Sequence, residues 1–451
     1  MFPPEAPVLH RQEEFSPDYY AWTKQAAYFH LVRNLHRDDA KTASVRAVLE
    51  ADPVYASRIR KLTEKLPEQC GHTEPAAMKS LLGSQLKLSP TGIETFYTCP
   101  FQYFCRYCLK MYAPEKITLT PNHIGNFAHY CLEKILGSHP EDFTELSEDQ
   151  LIQEIEELAE VFKKENFSAS VLKNSRFKLS YHINTQSVLR LLKHLQTELK
   201  KSVFVPAAFE ERLGPQEDLK PYSLRNGEIL CQGKIDRVDL CDAEDRRLMR
   251  VIDYKTGTKY FSPEKLAYGL DMQMLIYLFA LEQNQAFGAE PAGVLYLPSG
   301  QPIKSDYQDR TKKPVSREEF FQDFYQMKGL LLEDVLPYMQ EEAPSPASVM
   351  NHTDTQNLFS ATSQQFSSLK KHVERKICEM ADRLYEGDTA PKPYLYQKNS
   401  PCNYCRYADI CGHADLKKMT LTKKLKQEAL KTVFEQEEDL TEQEEHKDEM
   451  D

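Results

Sequence analysis

The chain has 451 residues, of which 41% are hydrophobic and 10% aromatic, values typical of a folded protein of two or three domains. Its formal net charge is −11, but residues 435–451 hold ten acidic residues and one lysine, so the remainder is nearly neutral and a basic nucleic-acid groove is not excluded. The longest apolar stretch is too short to cross a bilayer and the N-terminus lacks a secretion signal, so we expect a soluble, cytoplasmic protein with no membrane partner.

Helical sequence dominates the first 200 residues. The first 85 residues are predicted to form a polar helical arm or linker that carries no recognisable chemistry. Ser89 and Pro90 have the residue types preferred at a helix N-cap and first turn, so an aromatic-rich helix is expected from there through Met111. Further helices are predicted up to residue 136 and at 149–201.

Strand patterns begin after residue 203. Apolar alternation and β-branched residues predict strands at 204–213, 228–240, 247–255 and 293–297. Helical periodicity predicts helices at 263–283, 315–340, 363–387 and 416–433, and the acidic tail after the last helix is expected to be solvated. This order of elements predicts an α/β fold with a sheet inside a helical shell.

Two of the predicted strands carry carboxylates and a lysine in an otherwise apolar setting. Alternate residues of a strand share a face, so Asp253 and Lys255 point the same way. Asp236 lies on the preceding strand and can reach the same place. Two carboxylates with a main-chain carbonyl form an oxygen site suited to Mg²⁺ or Mn²⁺, and a neighbouring lysine can orient water and stabilise charge on a phosphate.

A lone D-x-K pair is common on exposed hairpins, but here it belongs to an ordered set. The run from Gly125 to His129 begins a helix that continues into Leu-Glu, and Gln273 and Tyr277 are four residues apart on one helical face. In this order the chain resembles the RecB-like branch of the PD-(D/E)XK nucleases. That family has a helical histidine, a G-x-I-D-R strand, a D-Y-K strand and a Q-x-x-x-Y helix.

The resemblance implies a role for each matching residue. Side chains at the positions of His129, Asp236 and Asp253 bind metal in the family, together with the main-chain carbonyl of Tyr254. Lys255 would be catalytic, and the pair Gln273 and Tyr277 would support the site or contact DNA. The implied fold is a restriction-endonuclease-like mixed β-sheet core flanked by helices.

Three cysteines near the C-terminus have the spacing of a metal or cluster site. Cys402, Cys405 and Cys411 form C-x2-C-x5-C, which calls for a fourth ligand. The candidates are His413 and three cysteines of the aromatic-rich helix, namely Cys99, Cys105 and Cys108. Spacing alone permits either zinc or an iron–sulfur cluster.

The run CPFQYF at 99–104 resembles an element of the B subunits of bacterial AddAB-type helicase–nucleases. In that group this element and a C-terminal C-x2-C-x5-C together hold an iron–sulfur cluster. The resemblance implies a structural [4Fe-4S] cluster on Cys99, Cys402, Cys405 and Cys411 that staples a helical wrap around the nuclease. It covers 86–415, leaving an arm at 1–85 and a basic helix with an acidic disordered tail at 416–451.

The function expected from the resemblance is Mg²⁺-dependent DNA exonuclease activity, 5′ to 3′ on single-stranded ends, in recombinational double-strand-break repair. A helicase/nuclease A subunit is the expected partner. The helicase-like half of such B subunits is absent and no phosphate-binding loop is found, so no ATPase activity is expected. The alternative is a non-catalytic module that binds DNA ends or docks on a helicase.

Overall fold

The computed structural model describes residues 23–35, 39–63, 72–112, 121–243, 245–257, 261–300, 321, 324–338, 347–348, 358–394, 400–411 and 430–435. The chain separates into two compact units, Met1–Cys70 and Gly71–Asp451. The first contains helices α1 (Lys24–Arg33), α2 (Ala40–Glu50) and α3 (Pro53–Thr63). They bury a small core of Ala27, Leu31, Leu49 and Ile59.

The second unit begins with helices and a short strand. Within its described residues the α-helices are α4 (Pro75–Leu82), α5 (Pro90–Thr98), α6 (Pro100–Tyr103), α7 (Pro121–Ser138), α8 (Glu148–Asn166), α9 (Ala169–Leu172), α10 (Ser175–Leu199), α11 (Pro263–Leu266), α12 (Gln273–Gln283), α13 (Ser363–Tyr385) and α14 (Ala408–Cys411). The predicted N-cap is confirmed, because the Ser89 hydroxyl accepts a hydrogen bond of 3.1 Å from the Gly92 amide. Among the described residues, none of the helices combines the length and apolar character needed to cross a membrane.

The strands of the described residues form a large and a small mixed sheet. They are β1 (Leu86–Leu88), β2 (Val205–Leu213), β3 (Tyr222–Leu224), β4 (Ile229–Cys231), β5 (Gly233–Ala243), β6 (Arg246–Lys255), β7 (Glu290–Pro298), β8 (Lys328–Leu332), β9 (Ala347–Ser348) and β10 (Leu358–Ala361). The large sheet has the order β2-β5-β6-β7-β8-β10-β9, and the small one β1-β4-β3. The hairpin β5–β6 is antiparallel, whereas β6 and β7 are parallel. The predicted α/β class with a mixed sheet is confirmed.

Each face of the large sheet is covered by its own set of helices. Neighbouring residues of β6 point to opposite faces, so Val251 joins the core formed with α12 and α13, while Ile252 joins the core formed with α7, α8 and α10. Every residue from Met274 to Leu281 of α12 is buried. The central strands of the sheet are therefore covered on both faces, and the candidate carboxylates lie near strand ends.

The structure corrects four predicted helices. The helix predicted at 315–340 is wrong over its described C-terminal part, where residues 328–332 form β8 and Glu333–Tyr338 a 3-10 helix. The apolar run of β8 is compatible with either a helix or a strand. It forms a strand because it pairs in parallel with β10, which comes later in the chain. Each of the other three predicted helices is interrupted. The helix predicted from Pro90 through Met111 breaks at Cys99, the one predicted at 149–201 breaks between 166 and 175, and the one predicted at 263–283 breaks between 266 and 273. Of the helix predicted at 416–433, residues 416–429 lie outside the described residues.

Candidate active site

The two predicted carboxylates lie where β5 and β6 meet. Arg237 of β5 pairs with Ile252 of β6, which places Asp236 and Asp253 next to one another along the hairpin. One oxygen of Asp236, Oδ2, accepts a hydrogen bond of 2.9 Å from the amide of Tyr254. The Asp236 side chain is thus fixed against the strand that carries Asp253.

Asp253 is buried, with 2% of its surface exposed, and side chains from β6 and α12 contact its carboxylate. Lys255 Nζ lies 2.6 Å from Asp253 Oδ2, as expected for alternate residues that share a strand face. From α12, Gln273 Nε2 donates to Asp253 Oδ1 over 3.4 Å. The structure therefore brings three of the predicted site residues together.

His129 comes to the same strand ends from α7. Its Nε2 lies 3.1 Å from the main-chain oxygen of Tyr254, and its Nδ1 lies 3.5 Å from Asp236 Oδ1. A Cβ atom on Gly125 would stand 2.9 Å from the Thr256 methyl group, so glycine lets α7 approach the end of β6 this closely. Burial lowers the pKa of His129, but contacts with Asp236 and Glu210 outweigh it and raise that pKa to about 10.

Glu210 is a member of the site that the sequence did not single out. Its Oε1 lies 3.5 Å from His129 Nδ1, and its other carboxylate oxygen contacts the ammonium of Lys234. Burial alone would raise the pKa of Glu210, but hydrogen bonding to His129 and Lys234 lowers it. The sequence signal that could have identified Glu210 is the pair of adjacent acids, Glu210 and Glu211, in a half-apolar strand. Of two neighbouring residues on a strand, one points inward.

Tyr277 supports the strand that carries Asp236. Its hydroxyl accepts a hydrogen bond of 3.4 Å from the amide of Lys234, and its ring lies over Gly233, where a Cβ atom would stand 2.6 Å from a ring carbon. Burial raises the pKa of Tyr277 to about 12, so the phenol stays protonated. Tyr277 therefore packs behind the carboxylates, one turn along α12 from Gln273.

A buried charge network lies on the other side of β5. Asp239 accepts hydrogen bonds from Arg237 and Arg250, with Nη2 to Oδ2 distances of 2.7 and 2.9 Å. Arg250 also reaches Glu198 at the end of α10, over 3.4 Å. Arg237 and Asp239 are fully buried, and the two guanidinium groups hold the pKa of Asp239 below its ordinary value despite that burial. The network anchors the β5–β6 hairpin to α10.

The donor set fits a divalent cation. Among the described residues, one ligand atom from each of His129, Glu210 and Asp236 lies within 4.8 Å of the other two, and Asp253 is not part of that group. Carboxylate oxygens, a main-chain carbonyl and an imidazole suit Mg²⁺ or Mn²⁺. Asp253 adjoins the group through Tyr254, whose amide and carbonyl contact Asp236 and His129 respectively.

The four cysteines named by the resemblance share one cavity. Cys99, Cys402, Cys405 and Cys411 all line it, together with Phe101 and three prolines, and all four are free thiols. Burial raises the pKa of Cys99 and of Cys405, and neighbouring thiols of the group raise it further. The structure therefore places residue 99 beside the C-terminal triplet.

Main-chain hydrogen bonds hold this cavity together from both ends of the unit. The Phe101 amide donates to the Ala390 carbonyl over 3.2 Å, and the Tyr394 amide donates to the Thr98 carbonyl over 2.8 Å. Cys105 is buried beside the group, and its pKa is raised to about 11 by burial and by Cys405, Cys99 and Cys411. Four thiols around one cavity fit the ligand demand of a [4Fe-4S] cluster and also that of zinc. His413 lies outside the described residues.

Comparisons with known proteins identify the family of the chain. The family described as PD-(D/E)XK nuclease superfamily matches residues 87–412. The B subunit of the ATP-dependent helicase/deoxyribonuclease from Clostridium acetobutylicum is 30% identical over 358 residues, covering 75% of this chain and 31% of the relative. The corresponding B subunit from Caldanaerobacter subterraneus is 29% identical over 387 residues, covering 80% and 33%. The chain spans about a third of the length of the curated relatives it matches.

The family match covers both the strand pair with its carboxylates and the cavity with its four cysteines. Four predicted elements within that range converge at one end of the large sheet. They are the D-Y-K strand, the I-D-R strand, the helix that carries His129 and the helix that carries Gln273. This chain belongs to the PD-(D/E)XK nuclease superfamily.

Proposed function

We propose that the chain is a Mg²⁺-dependent DNA exonuclease that degrades single strands from their 5′ ends during recombinational double-strand-break repair. The observation that carries this proposal is the convergence of Asp236, Asp253, Lys255 and His129 at the ends of β5 and β6. The family supports phosphodiester hydrolysis, and the names of the relatives support DNA as the substrate.

The chemistry follows from what these side chains can hold. Asp236, Asp253, His129 and the Tyr254 carbonyl would bind the cation, which when bound neutralises phosphate charge and acidifies water. The Lys255 ammonium, 2.6 Å from Asp253, can orient the attacking water and stabilise the charge that develops on the phosphate. Gln273 keeps the Asp253 carboxylate turned towards the site, and Tyr277 supports the strand behind it.

Cleavage of end-labelled DNA tests the nuclease proposal. The wild-type chain, purified anaerobically, is incubated with single- and double-stranded DNA in Mg²⁺, beside Asp253→Asn and Lys255→Ala. We expect both variants to cut at least about 100-fold more slowly, because each removes charge at the reacting centre. Asp242→Asn is the matched control, since this aspartate lies on β5 with its side chain 78% exposed.

The position of the label shows the polarity of cleavage, and the cleavage activity of the wild-type chain distinguishes an enzyme from a binding module. Early release of short products from a 5′ label supports 5′-to-3′ degradation, and early release from a 3′ label contradicts it. A wild-type chain that binds DNA ends yet cuts nothing with Mg²⁺ or Mn²⁺ would support the non-catalytic docking module instead.

We also propose that Cys99, Cys402, Cys405 and Cys411 bind a structural [4Fe-4S] cluster. The shared cavity and the free thiols support it. Because the ligands come from both ends of the nuclease unit, ligation would cross-link the fold, and the binding free energy would contribute to stability.

Metal analysis separates the cluster from zinc. Anaerobically purified protein should be brown and contain iron and sulfide rather than zinc, and Cys99→Ala should lose the iron and melt at a lower temperature. Cys105→Ala is the matched control, because Cys105 is buried beside the cavity without lining it. Equal iron in wild type and Cys99→Ala, or zinc in place of iron, would refute the assignment.

A helicase/nuclease A subunit in the cytoplasm is the partner that we propose. The name of the relatives describes one subunit of an ATP-dependent helicase/deoxyribonuclease, and this supports a second subunit here. Co-expression of the chain with an A subunit, followed by size-exclusion chromatography, tests it. Separate elution of the two proteins would contradict the proposal.

A further inference from the structure

We infer that Arg212 of β2 and Lys234 of β5 form a clamp for the phosphate next to the scissile phosphate on the substrate strand. The inference rests on the proposed function and adds a subsite to it, since neither residue is a proposed metal ligand. The ligand is by class a phosphodiester monoanion, with which a guanidinium and an ammonium group can both form charged hydrogen bonds.

Arg212 and Lys234 stand side by side because β2 and β5 are antiparallel neighbours. The register pairs Arg212 directly with Lys234. Partners of this kind point to the same face of a sheet, with their Cβ atoms about 5 Å apart. Arg212 is exposed, and 47% of the Lys234 side chain is exposed. Two cationic groups are therefore presented to solvent together at this point of the large sheet.

This pair of like charges is unfavourable for the fold by itself. Like charges directly opposite one another on neighbouring strands destabilise a sheet. Lys234 contacts the carboxylate of Glu210, whereas Arg212 forms no ion pair with any of the described residues. Positions that break a rule of local stability are expected at functional sites. A phosphate between the two side chains would supply the compensating negative charge.

The two cationic side chains lie next to the proposed metal ligands. The Lys234 ammonium contacts Oε2 of Glu210, and the other oxygen of that carboxylate is 3.5 Å from His129. Lys234 and Asp236 are alternate residues of β5, so they share a face and lie about 7 Å apart along the strand. This step is close to the separation of successive phosphates in an extended single strand. With the scissile phosphate at Asp236, the adjacent phosphate is therefore within reach of Lys234 and Arg212.

DNA binding measured by fluorescence anisotropy over a range of NaCl concentrations tests the clamp without relying on cleavage. A labelled single strand is titrated in EDTA, so that no strand is cut. Arg212→Ala should bind about tenfold more weakly than wild type, because a hydrogen bond between charged groups is lost. The slope of the logarithm of the binding constant against the logarithm of the salt concentration should fall by about 0.7. Lys234→Ala should change both quantities in the same direction.

Two further variants show whether charge alone or the shape of the guanidinium matters. Arg212→Lys should keep the salt slope of wild type but recover only part of the affinity, because lysine lacks the planar fork of donors that fits a phosphate. Arg247→Ala is the matched control, since this arginine lies on β6 near the turn of the β5–β6 hairpin with its side chain 48% exposed. It should bind DNA as wild type does.

A single methylphosphonate, which carries no charge, identifies the phosphate that the clamp holds. It is moved one position at a time along the strand. At the clamped position it should weaken binding to wild type but not weaken binding to Arg212→Ala any further, because both changes remove the same contact. Equal losses for the two proteins at every position would overturn the inference, and so would wild-type affinity and salt slope of Arg212→Ala.

The melting temperature separates a binding role of Arg212 from a structural one. Because Arg212→Ala removes a like-charged neighbour of Lys234, it should melt no lower than wild type. Weak binding together with a much lower melting temperature would make Arg212 a structural residue and overturn the clamp. A wild-type chain that shows the clamp in these assays yet cuts nothing in Mg²⁺ would refute the proposed function alone, and one that binds no DNA would refute both.

Discussion

Asp239 offers a direct test of how the β5–β6 hairpin is held. Asp239→Asn removes the only carboxylate that joins two buried guanidinium groups, those of Arg237 and Arg250, among the described contacts. Glu198 stays 3.4 Å from Arg250, but Arg237 loses its ion pair inside the core. Removing one partner of a buried ionic network costs about 3–5 kcal/mol, because a charge is left uncompensated.

The free energy of unfolding is measured by urea titration followed by circular dichroism. For a slope near 3 kcal/mol/M, the expected loss lowers the urea midpoint by about 1 M or more. Asp242→Asn is the control: it lies on the same strand and pairs with Arg247 at 3.2 Å, but its side chain is 78% exposed. Exposed pairs contribute about 0–1 kcal/mol, so this variant should unfold close to wild type.

The pH dependence of the stability difference between wild type and Asp239→Asn gives a second check, and the pKa of Asp239 sets its direction. The pKa of Asp239 is lowered in the folded state, so its contribution is fully present above the unfolded pKa of about 3.9. That contribution is lost as the pH falls through the folded pKa. The wild-type advantage over Asp239→Asn should therefore be constant at neutral pH and shrink in acid. If Asp239→Asn loses less than about 1 kcal/mol of unfolding free energy at neutral pH, as the control does, the argument that water is excluded from the network is refuted.

Two other variants test packing and titration away from the proposed metal ligands. Gly233→Ala should displace the Tyr277 ring, because the added Cβ atom would lie 2.6 Å from a ring carbon. We expect the free energy of unfolding to fall by about 1–3 kcal/mol. A variant that melts and cleaves DNA as wild type does would contradict this. His372 is buried, donates from Nε2 to the Leu266 carbonyl, and has its pKa lowered to about 4 by burial. Because the unfolded histidine binds its proton first as the pH falls, wild type should lose roughly 3 kcal/mol more than His372→Gln between pH 6.5 and 4. Parallel pH curves for the two proteins would show that the histidine has the same pKa in the folded and unfolded states.

Strong local patterns made most of the fold predictable, and the ordered set of family motifs indicated which side chains lie together at the strand ends. The strands around Asp236 and Asp253 followed from apolar alternation, and the N-cap at Ser89 followed from residue type. The helix predicted at 315–340 failed over its described C-terminal part, because β8 is an apolar run whose pairing with β10 depends on residues nearly thirty positions away. Long-range pairing of this kind is not encoded in the local pattern.

Glu210 was missed for a different reason. Alternation along a regular strand predicts which residues point inward, but β2 has a register shift near Ala208 and a left-handed residue at Glu210. Neither feature has a sequence signal, because left-handed backbone is usually marked by glycine or asparagine and glutamate is neither. The sequence could show that an acid pair occurs in β2, and only the packing of β2 against β5 and α7 shows which acid meets His129.

The face opposite the carboxylates constrains the site as strongly as the site residues do. Neighbours along β5 alternate, so Asp236 faces the open strand ends while Arg237 and Asp239 lie in the core beneath α10. A slip of β5 by one residue would place Arg237 in the site, turn Asp236 into the core and separate Asp239 from Arg250. The buried network therefore holds the register that keeps Asp236 beside Asp253. The distance between the two carboxylates therefore depends on charges that are buried on the opposite face of β5.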